Sequence, residues 1–259
     1  MKMVSGNRKS LLKPEEVHVW LFDLDGSGQS IPEWERLLSG DETIRSKLFR
    51  FERDRLRFVA RRGILRQLLG QYTGLDPAQI AYHINPYGKL SLPSHPLHFN
   101  ISGCQERVAF AFALENEVGV DLEQIHPIPE LDRIAERWFS PAEWVGMSAL
   151  APGMRMEAFF HIWTQKEAFL KARGEGLSLQ LSDFSVSVDP KKVDSLLSID
   201  CGPEDASHWK MISHVPEAGW RLAVCLHAER DPKVQWYMLD LVDFQSMVAS
   251  GKTSLFIHH

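Results

Sequence analysis

The run Trp163-Thr164-Gln165-Lys166-Glu167-Ala168-Phe169-Leu170-Lys171 puts a carboxylate where a helix should be apolar. Helical residues advance by about 100° each, so Met156, Phe160, Trp163, Leu170 and Gly174 fall on one stripe with Glu167 in its middle. A carboxylate facing a core needs a partner, which is an arginine, a proton or a metal ion. An i,i+4 pair with Lys171, worth roughly a few tenths of a kcal/mol, accounts for the lysine but not for a glutamate between Trp163 and Leu170. A metal-binding carboxylate accounts for both and leaves Lys171 for a phosphate. Lys166, about 100° round the helix, is a second phosphate candidate at the rim.

Other acids stand upstream, in Gly119-Val120-Asp121-Leu122-Glu123. On a strand Asp121 and Glu123 share one face, and Val120 and Leu122 share the other. Paired carboxylates repel unless a cation lies between them, and their oxygens suit a hard ion such as magnesium; a strand end whose acids reach solvent is the alternative. A third group is basic. Arg45 to Arg66 holds nine of the chain's 29 lysines and arginines and only two acids, Glu52 and Asp54. Arg55, Arg62 and Arg66 lie within about 40° on a helical wheel beside Phe58, Leu65 and Leu69. There they bury their stems and present forked donors to a phosphate, or are simply solvated. Tyr87-Gly88-Lys89 reads as a turn exposing a lysine, and Phe99-Asn100-Ile101-Ser102 as a strand ending in a hydroxyl.

The elements that must position these groups alternate in type. Val17 to Leu24 reads as a strand, Ile31 to Leu38 as a helix, and Ser39 to Gly70 as one or two helices closed by Gly70 and Gly74. Strands are expected at Ile80 to Ile84, His98 to Ile101, Arg107 to Leu114 and Val118 to Leu122. Helices then follow at Pro129 to Trp138, from Ser140-Pro141-Ala142-Glu143, and at Met154 to Arg173. Phe184 to Val188, Trp209 to Ser213, Trp220 to Leu226 and Trp236 to Leu241 are the remaining strand candidates. The class is α+β, with two similar halves at 15–116 and 117–229 and a C-terminal extension at 230–259. No fixed-period repeat is visible.

Composition sets bounds. The chain has 259 residues, 44% of them hydrophobic, and a net charge of −5, so its surface as a whole does not advertise nucleic acid or membrane as a partner. Three dispersed cysteines, Cys104, Cys201 and Cys225, show neither metal nor disulfide spacing and fit a reducing cytoplasm. Residues 1–12 lack the apolar run of a signal peptide, and Val108 to Leu114 is far short of a membrane span. The closing His258-His259 carries no argument.

The ordered pair of motifs resembles the 4′-phosphopantetheinyl transferases of the surfactin-synthetase-activating (Sfp-like) type. That family carries a G-[IV]-D-x-E strand followed by a W-x-x-K-E-[AS]-x-x-K helix, here Gly119 to Glu123 and Trp163 to Lys171, with Gly174-Glu175-Gly176-Leu177-Ser178 trailing. The similarity extends over most of residues 20–228. It implies two α+β halves in a pseudo-twofold arrangement with the active site between them. It also implies a reaction, in which the phosphopantetheine arm of coenzyme A passes to a serine of an apo acyl-, peptidyl- or aryl-carrier protein, with magnesium, releasing adenosine 3′,5′-bisphosphate. By the resemblance Asp121, Glu123 and Glu167 bind magnesium, Lys171 and Lys166 lie near the pyrophosphate, and Arg62, Gly88, Lys89 and Ser102 contact the nucleotide part of coenzyme A. Glu167 is expected to act in catalysis with Lys171, holding the ion, and the serine proton is expected to pass to Glu167 or to a water on the metal, with Glu167 in both roles as the working hypothesis.

The chain departs from the family at Asn100-Ile101-Ser102-Gly103-Cys104, where N-[ILV]-S-H-S is usual. Gly103 replaces a histidine that helps hold a phosphate of coenzyme A, and Leu90 replaces a common proline. The departure at Gly103 prompts a second reading, a degenerate member that binds carrier proteins without transferring. Nucleic-acid binding through Arg45 to Arg66 is a third, disfavoured by the lack of aromatic interleaving. Two fused halves point to a monomer.

Overall fold

The computed structural model describes residues 11–26, 28, 30–93, 95–176, 179–189, 196–199 and 206–250. Leu177, Ser178, Cys201, His258, His259 and most of the lead-in lie outside them.

The first half opens with β1 (Glu16–Asp23) and continues through α1 (Ile31–Leu37), α2 (Gly40–Ser46) and α3 (Glu52–Thr73). A small hairpin, β2 (His83–Ile84) with β3 (Leu90–Ser91), precedes β4 (Leu97–Cys104) and β5 (Arg107–Leu114). The second half begins at β6 (Val118–Gln124), then α4 (Leu131–Trp138), α5 (Pro141–Ser148) and α6 (Pro152–Arg173). A hairpin of β7 (Phe184–Val186) and β8 (Leu196–Ile199) is followed by β9 (Trp209–His214) and β10 (Trp220–His227). The chain then forms β11 (Lys233–Met238) and α7 (Leu241–Ser250).

Strand order shows the likeness of the halves. The first sheet runs β11-β1-β5-β4 and the second β6-β10-β9, so β1-β5-β4 and β6-β10-β9 are the same antiparallel plan. α3 and α6 correspond as well: each has 22 residues and ends on a glycine in the left-handed region, Gly74 and Gly174. The α+β class and the two similar halves expected from the sequence are thus present.

The sheets stack face to face and helices cover their outer faces. Val17, Val19 and Leu21 of β1 and the alanines of β5 meet Val118, Val120 and Leu122 of β6 and Leu222 and Val224 of β10 in a central core. Alternation sends Trp20 and Phe22 outward to α1, α3 and α7, while Ala223 and Cys225 face α6. The C-terminal segment belongs to the first half. β11 pairs in parallel with β1, Tyr237 stacks on Trp20 with ring centres 4.3 Å apart, and Phe244 meets Phe22 at 4.9 Å.

Local chemistry fixes the element ends. Ser39 and Glu42 form a reciprocal capping box on α2, as Ser140 and Glu143 do on α5. The segment read as one or two helices is two, broken between Ser46 and Glu52. The strand expected at Ile80 to Ile84 contracts to His83–Ile84, because Pro77 to Gln79 winds into a single tight turn capped by Asp76. Beyond its first turn α6 is buried round most of its circumference, since the consecutive runs Ala158 to Ile162, Thr164 to Lys166 and Ala168 to Leu170 are all covered. Its apolar stripe through Glu167 is therefore not its core-facing side: Trp163 and Glu167 are only partly covered, and Glu167 opens on a cleft.

Candidate active site

The acids of β6 and the helix α6 are brought together by a glycine. A Cβ on Gly119 would lie 2.1 Å from the carbonyl oxygen of Ala168 and 2.3 Å from the nitrogen of Ala172. Backbone thus meets backbone where the strand crosses the helix, with small residues on both sides. This contact sets Glu167 and Lys171 over Asp121. The two sequence motifs are one interlocking unit.

The carboxylates share one ammonium. Lys171 Nζ donates to Asp121 Oδ1 at 2.6 Å and to Ser102 Oγ at 3.0 Å. Ser102 Oγ donates to Asp121 Oδ1 at 3.0 Å and accepts from the Leu122 amide at 3.2 Å. Asp121 Oδ2 is buried without a hydrogen-bond partner. Burial, with repulsion from Asp121, pushes the Glu123 carboxyl up to about 7. The same two causes raise Glu167 above the usual carboxylate range. Cys104, its thiol pushed up to about 11 chiefly by burial, donates to Glu123 Oε2 at 3.6 Å.

Sheet edges hold this arrangement in place. β4 and β6 are both edge strands, and side chains of β4 satisfy the backbone of β6: Asn100 Oδ1 accepts from the Val120 amide at 3.0 Å and Ser102 Oγ from Leu122. Sequence reasoning singled out Ser102 for the nucleotide. In the structure its hydroxyl bonds Asp121, and Asn100 and Cys104 join it as supports that their spacing on β4 could have indicated.

The turn after β2 closes the opposite wall. Asn85 Oδ1 accepts from the Tyr87 and Lys89 amides, and Asn85 Nδ2 donates to the Gly174 carbonyl at 2.6 Å, tying the hairpin of one half to the end of α6 in the other. Gly88, at φ +87°, supplies the left-handed residue that this turn needs. Lys89 Nζ donates to the Ala172 carbonyl and to Glu117 Oε2, both at 2.5 Å. Between these walls lies a cleft of about 290 Å³ lined by Gly88, Lys89, Asn100, Ile101, Glu167 and Lys171, among others.

Two expected site residues, Lys166 and Arg62, lie apart from both the cleft and the cluster around Asp121. Lys166 is fully buried, paired with Glu143 Oε2 at 2.9 Å and donating to the carbonyls of Leu181 and Phe184 at 2.6 Å. The rim position expected for it fails because the helix has no open face there. Arg62 opens on another cavity, of about 310 Å³, beside Glu42, Arg45, Arg66 and Tyr82. There it faces Glu42 Oε1 at 3.7 Å and the ring of Phe58. Of the arginines for which solvation was the alternative, Arg66 is buried and Arg55 keeps a partly exposed place among exposed acids. Arg55 bonds Glu52 and Glu35, and the buried Arg66 bonds Glu42 and the carbonyls of Pro77 and Ile80.

Among the described residues, no three or more His, Cys, Asp or Glu side chains are gathered into a ready coordination shell. The donor chemistry nonetheless fits a hard cation. Every candidate ligand atom is a carboxylate oxygen, one of them is buried and orphaned, and two of the carboxyls are held toward the protonated form by burial and by repulsion from Asp121, the second of which a cation would relieve.

Comparison with known proteins agrees with this geometry. Residues 117–225, which contain β6 and α6, match the 4′-phosphopantetheinyl transferase superfamily. The chain is 32% identical to the 4′-phosphopantetheinyl transferase HetI of Nostoc sp. over 83% of its own length and 89% of that protein. It is 32% identical to a 4′-phosphopantetheinyl transferase of Bacillus subtilis over 73% of its length and 81% of that protein. To the transferase Sfp of Bacillus subtilis strain 168 it is 31% identical over the same shares.

Proposed function

Because the chain belongs to the 4′-phosphopantetheinyl transferase superfamily, we propose that the cleft between its halves binds coenzyme A and magnesium and delivers the phosphopantetheine group to a carrier-protein serine. The protein is an enzyme of this class and transfers phosphopantetheine to carrier proteins. The donor, the metal, the residue roles and the carrier types are our reading.

In that reading the serine oxygen attacks the phosphorus that bears the pantetheine arm. A new phosphorus–oxygen bond forms, and the bond to the bridging oxygen breaks. Adenosine 3′,5′-bisphosphate departs with the electron pair. Asp121, Glu123 and Glu167 are the oxygens that would hold magnesium, which when bound would offset charge on the diphosphate. Lys171, now on Asp121, is within reach of a diphosphate entering the cleft and would exchange one anion for the other. Gly88 and Lys89 form the wall against which the nucleotide lies. Glu167 opens on the cleft that the serine must enter, so we assign it the serine proton.

The observation that carries this reading is the Gly119 contact, which sets α6 against β6 so that Lys171 bonds the buried Asp121 while Glu167 and Lys171 line a cleft shared with Gly88 and Lys89. The test is incubation of the protein with coenzyme A, magnesium and apo acyl, peptidyl and aryl carriers, read by the intact mass of the carrier. A gain of one phosphopantetheine supports the reading. Absence of any gain, with a folded carrier, favours a degenerate member that only binds. We further propose a cytoplasmic location, supported by the free thiols of Cys104 and Cys225, which suit a reducing compartment, and a monomer, supported by the two similar halves within one chain. Among the described residues no helix is long and apolar enough to cross a membrane.

A further inference from the structure

Gly103 of β4 is a glycine without a backbone reason. Its φ lies outside the left-handed region, so an L residue would be tolerated there. What it provides is room. A Cβ at this position would lie 2.4 Å from Cζ of Arg61, 2.7 Å from its Nε and 2.8 Å from its Nη1. The guanidinium of Arg61, reaching across from α3, fills the volume that a side chain at 103 would occupy.

Arg61 differs from every other arginine of α3. Arg53 stands beside Asp54, Arg55 beside Glu35 and Glu52, Arg57 beside Asp25 and Glu106, and Arg62 and Arg66 beside Glu42. Among the described residues Arg61 has no carboxylate at pairing distance. Its Nη2 donates to the Gln105 carbonyl at 3.0 Å, and its Nε is buried with no acceptor. Burial and the neighbouring Arg57 both act against its charge. A desolvated guanidinium with an unused donor needs an anion.

Its position says which anion. Ile101 and Gly103 alternate on the same face of β4, and Ile101 lines the cleft with Gly88, Lys89, Glu167 and Lys171. The Arg61 guanidinium therefore lies against a strand position roughly 7 Å, two residues of strand, from Ile101 at the cleft. Ser102, between the two, bonds Asp121 and Lys171.

We propose that Arg61 binds a phosphate group of coenzyme A and that Gly103 is the residue that admits it. The proposal rests on the coenzyme A reading above. It turns the departure at Gly103 into an exchange: the volume of the missing side chain holds a guanidinium instead.

Calorimetric titration of coenzyme A onto the protein without carrier tests it separately from transfer. Arg61→Gln keeps a donor for Gln105 and removes the charge. The expected result is a Kd weaker by about 10- to 100-fold with the thermal midpoint held, and partial recovery in Arg61→Lys. Gly103→Ala displaces only the end of a flexible side chain, so it too weakens binding, and it adds nothing in the Arg61→Gln background. It also serves should Arg61→Gln fail to fold. Repeating the titrations with 3′-dephospho-coenzyme A identifies the group. An Arg61→Gln effect lost with this ligand assigns Arg61 to the phosphate monoester, and an equal effect assigns it to the diphosphate. A Kd within twofold of wild type in Arg61→Gln, or simple additivity with Gly103→Ala, overturns the proposal. Binding without transfer by the wild type would instead refute the enzymatic reading and leave this one intact.

Discussion

Lys171 donates to Asp121 on the cleft side of α6, while Lys166 on the same helix is sealed against Glu143. Substitutions should separate their roles. Asp121→Asn removes the buried anion on which Lys171 and Ser102 converge, so transfer should fall by about 100-fold or more with circular dichroism unchanged. Lys166→Met leaves Glu143 buried and unpaired, which costs about 3–5 kcal/mol. A lowered thermal midpoint with an unchanged KM for coenzyme A is expected; a raised KM and an unchanged midpoint would restore Lys166 to the phosphate site. The sequence made Glu167, Asp121 and Glu123 legible because a strand and a helix each impose a simple period. It misplaced Lys166 because one stripe was taken as the buried side of a helix that is covered round most of its circumference. The placement of Arg62 and Ser102 depended on contacts between distant segments, with Glu42 and Asp121, which no local period encodes.

At the scale of elements, the close crossing of β6 and α6 is the arrangement on which the site depends. Gly119→Ala places a methyl group against the helix backbone, where no side chain can swing away. It should destabilise the protein by about 1–3 kcal/mol and reduce turnover as Glu167 and Lys171 shift from Asp121. Wild-type turnover and an unchanged urea midpoint would show that the crossing tolerates the added atom. Helix ends, caps and most strands could be read from the sequence, since glycine, proline and capping residues act locally. The pairing of β11 with β1 could not, because it joins strands from opposite ends of the described chain.

For the whole molecule, the duplication is written in topology rather than in residues. β1-β5-β4 repeats as β6-β10-β9, each carrying a long helix on its outer face. The C-terminal segment completes only the first half. Phe244→Ala, which empties a site against Phe22 and Trp20, should cost about 3–5 kcal/mol, read as a lowered urea midpoint. An unchanged midpoint would make α7 dispensable. Two buried histidines work against the fold in acid. Burial holds His18 and His161 down to about 4, so they stay neutral in the folded protein, while in the unfolded chain they bind protons near 6.5. Their contribution is full above about pH 6.5, declines as pH falls toward about 4 and is then lost, roughly 3 kcal/mol each. Glu123, pushed up to about 7, acts in the opposite sense over the same range, so the check is the change in urea midpoint between pH 7.5 and pH 5 in His18→Gln against wild type: a smaller loss on acidification is expected in the variant, and an identical change would contradict it. The central claim, that Asp121, Glu123, Glu167 and Lys171 form a phosphopantetheine-transfer site, is tested most directly by the intact mass of an apo carrier after incubation with coenzyme A and magnesium. The account predicts a gain of one phosphopantetheine with the wild-type protein and none with Asp121→Asn. No gain with a folded wild-type protein, or an equal gain with both, would contradict it.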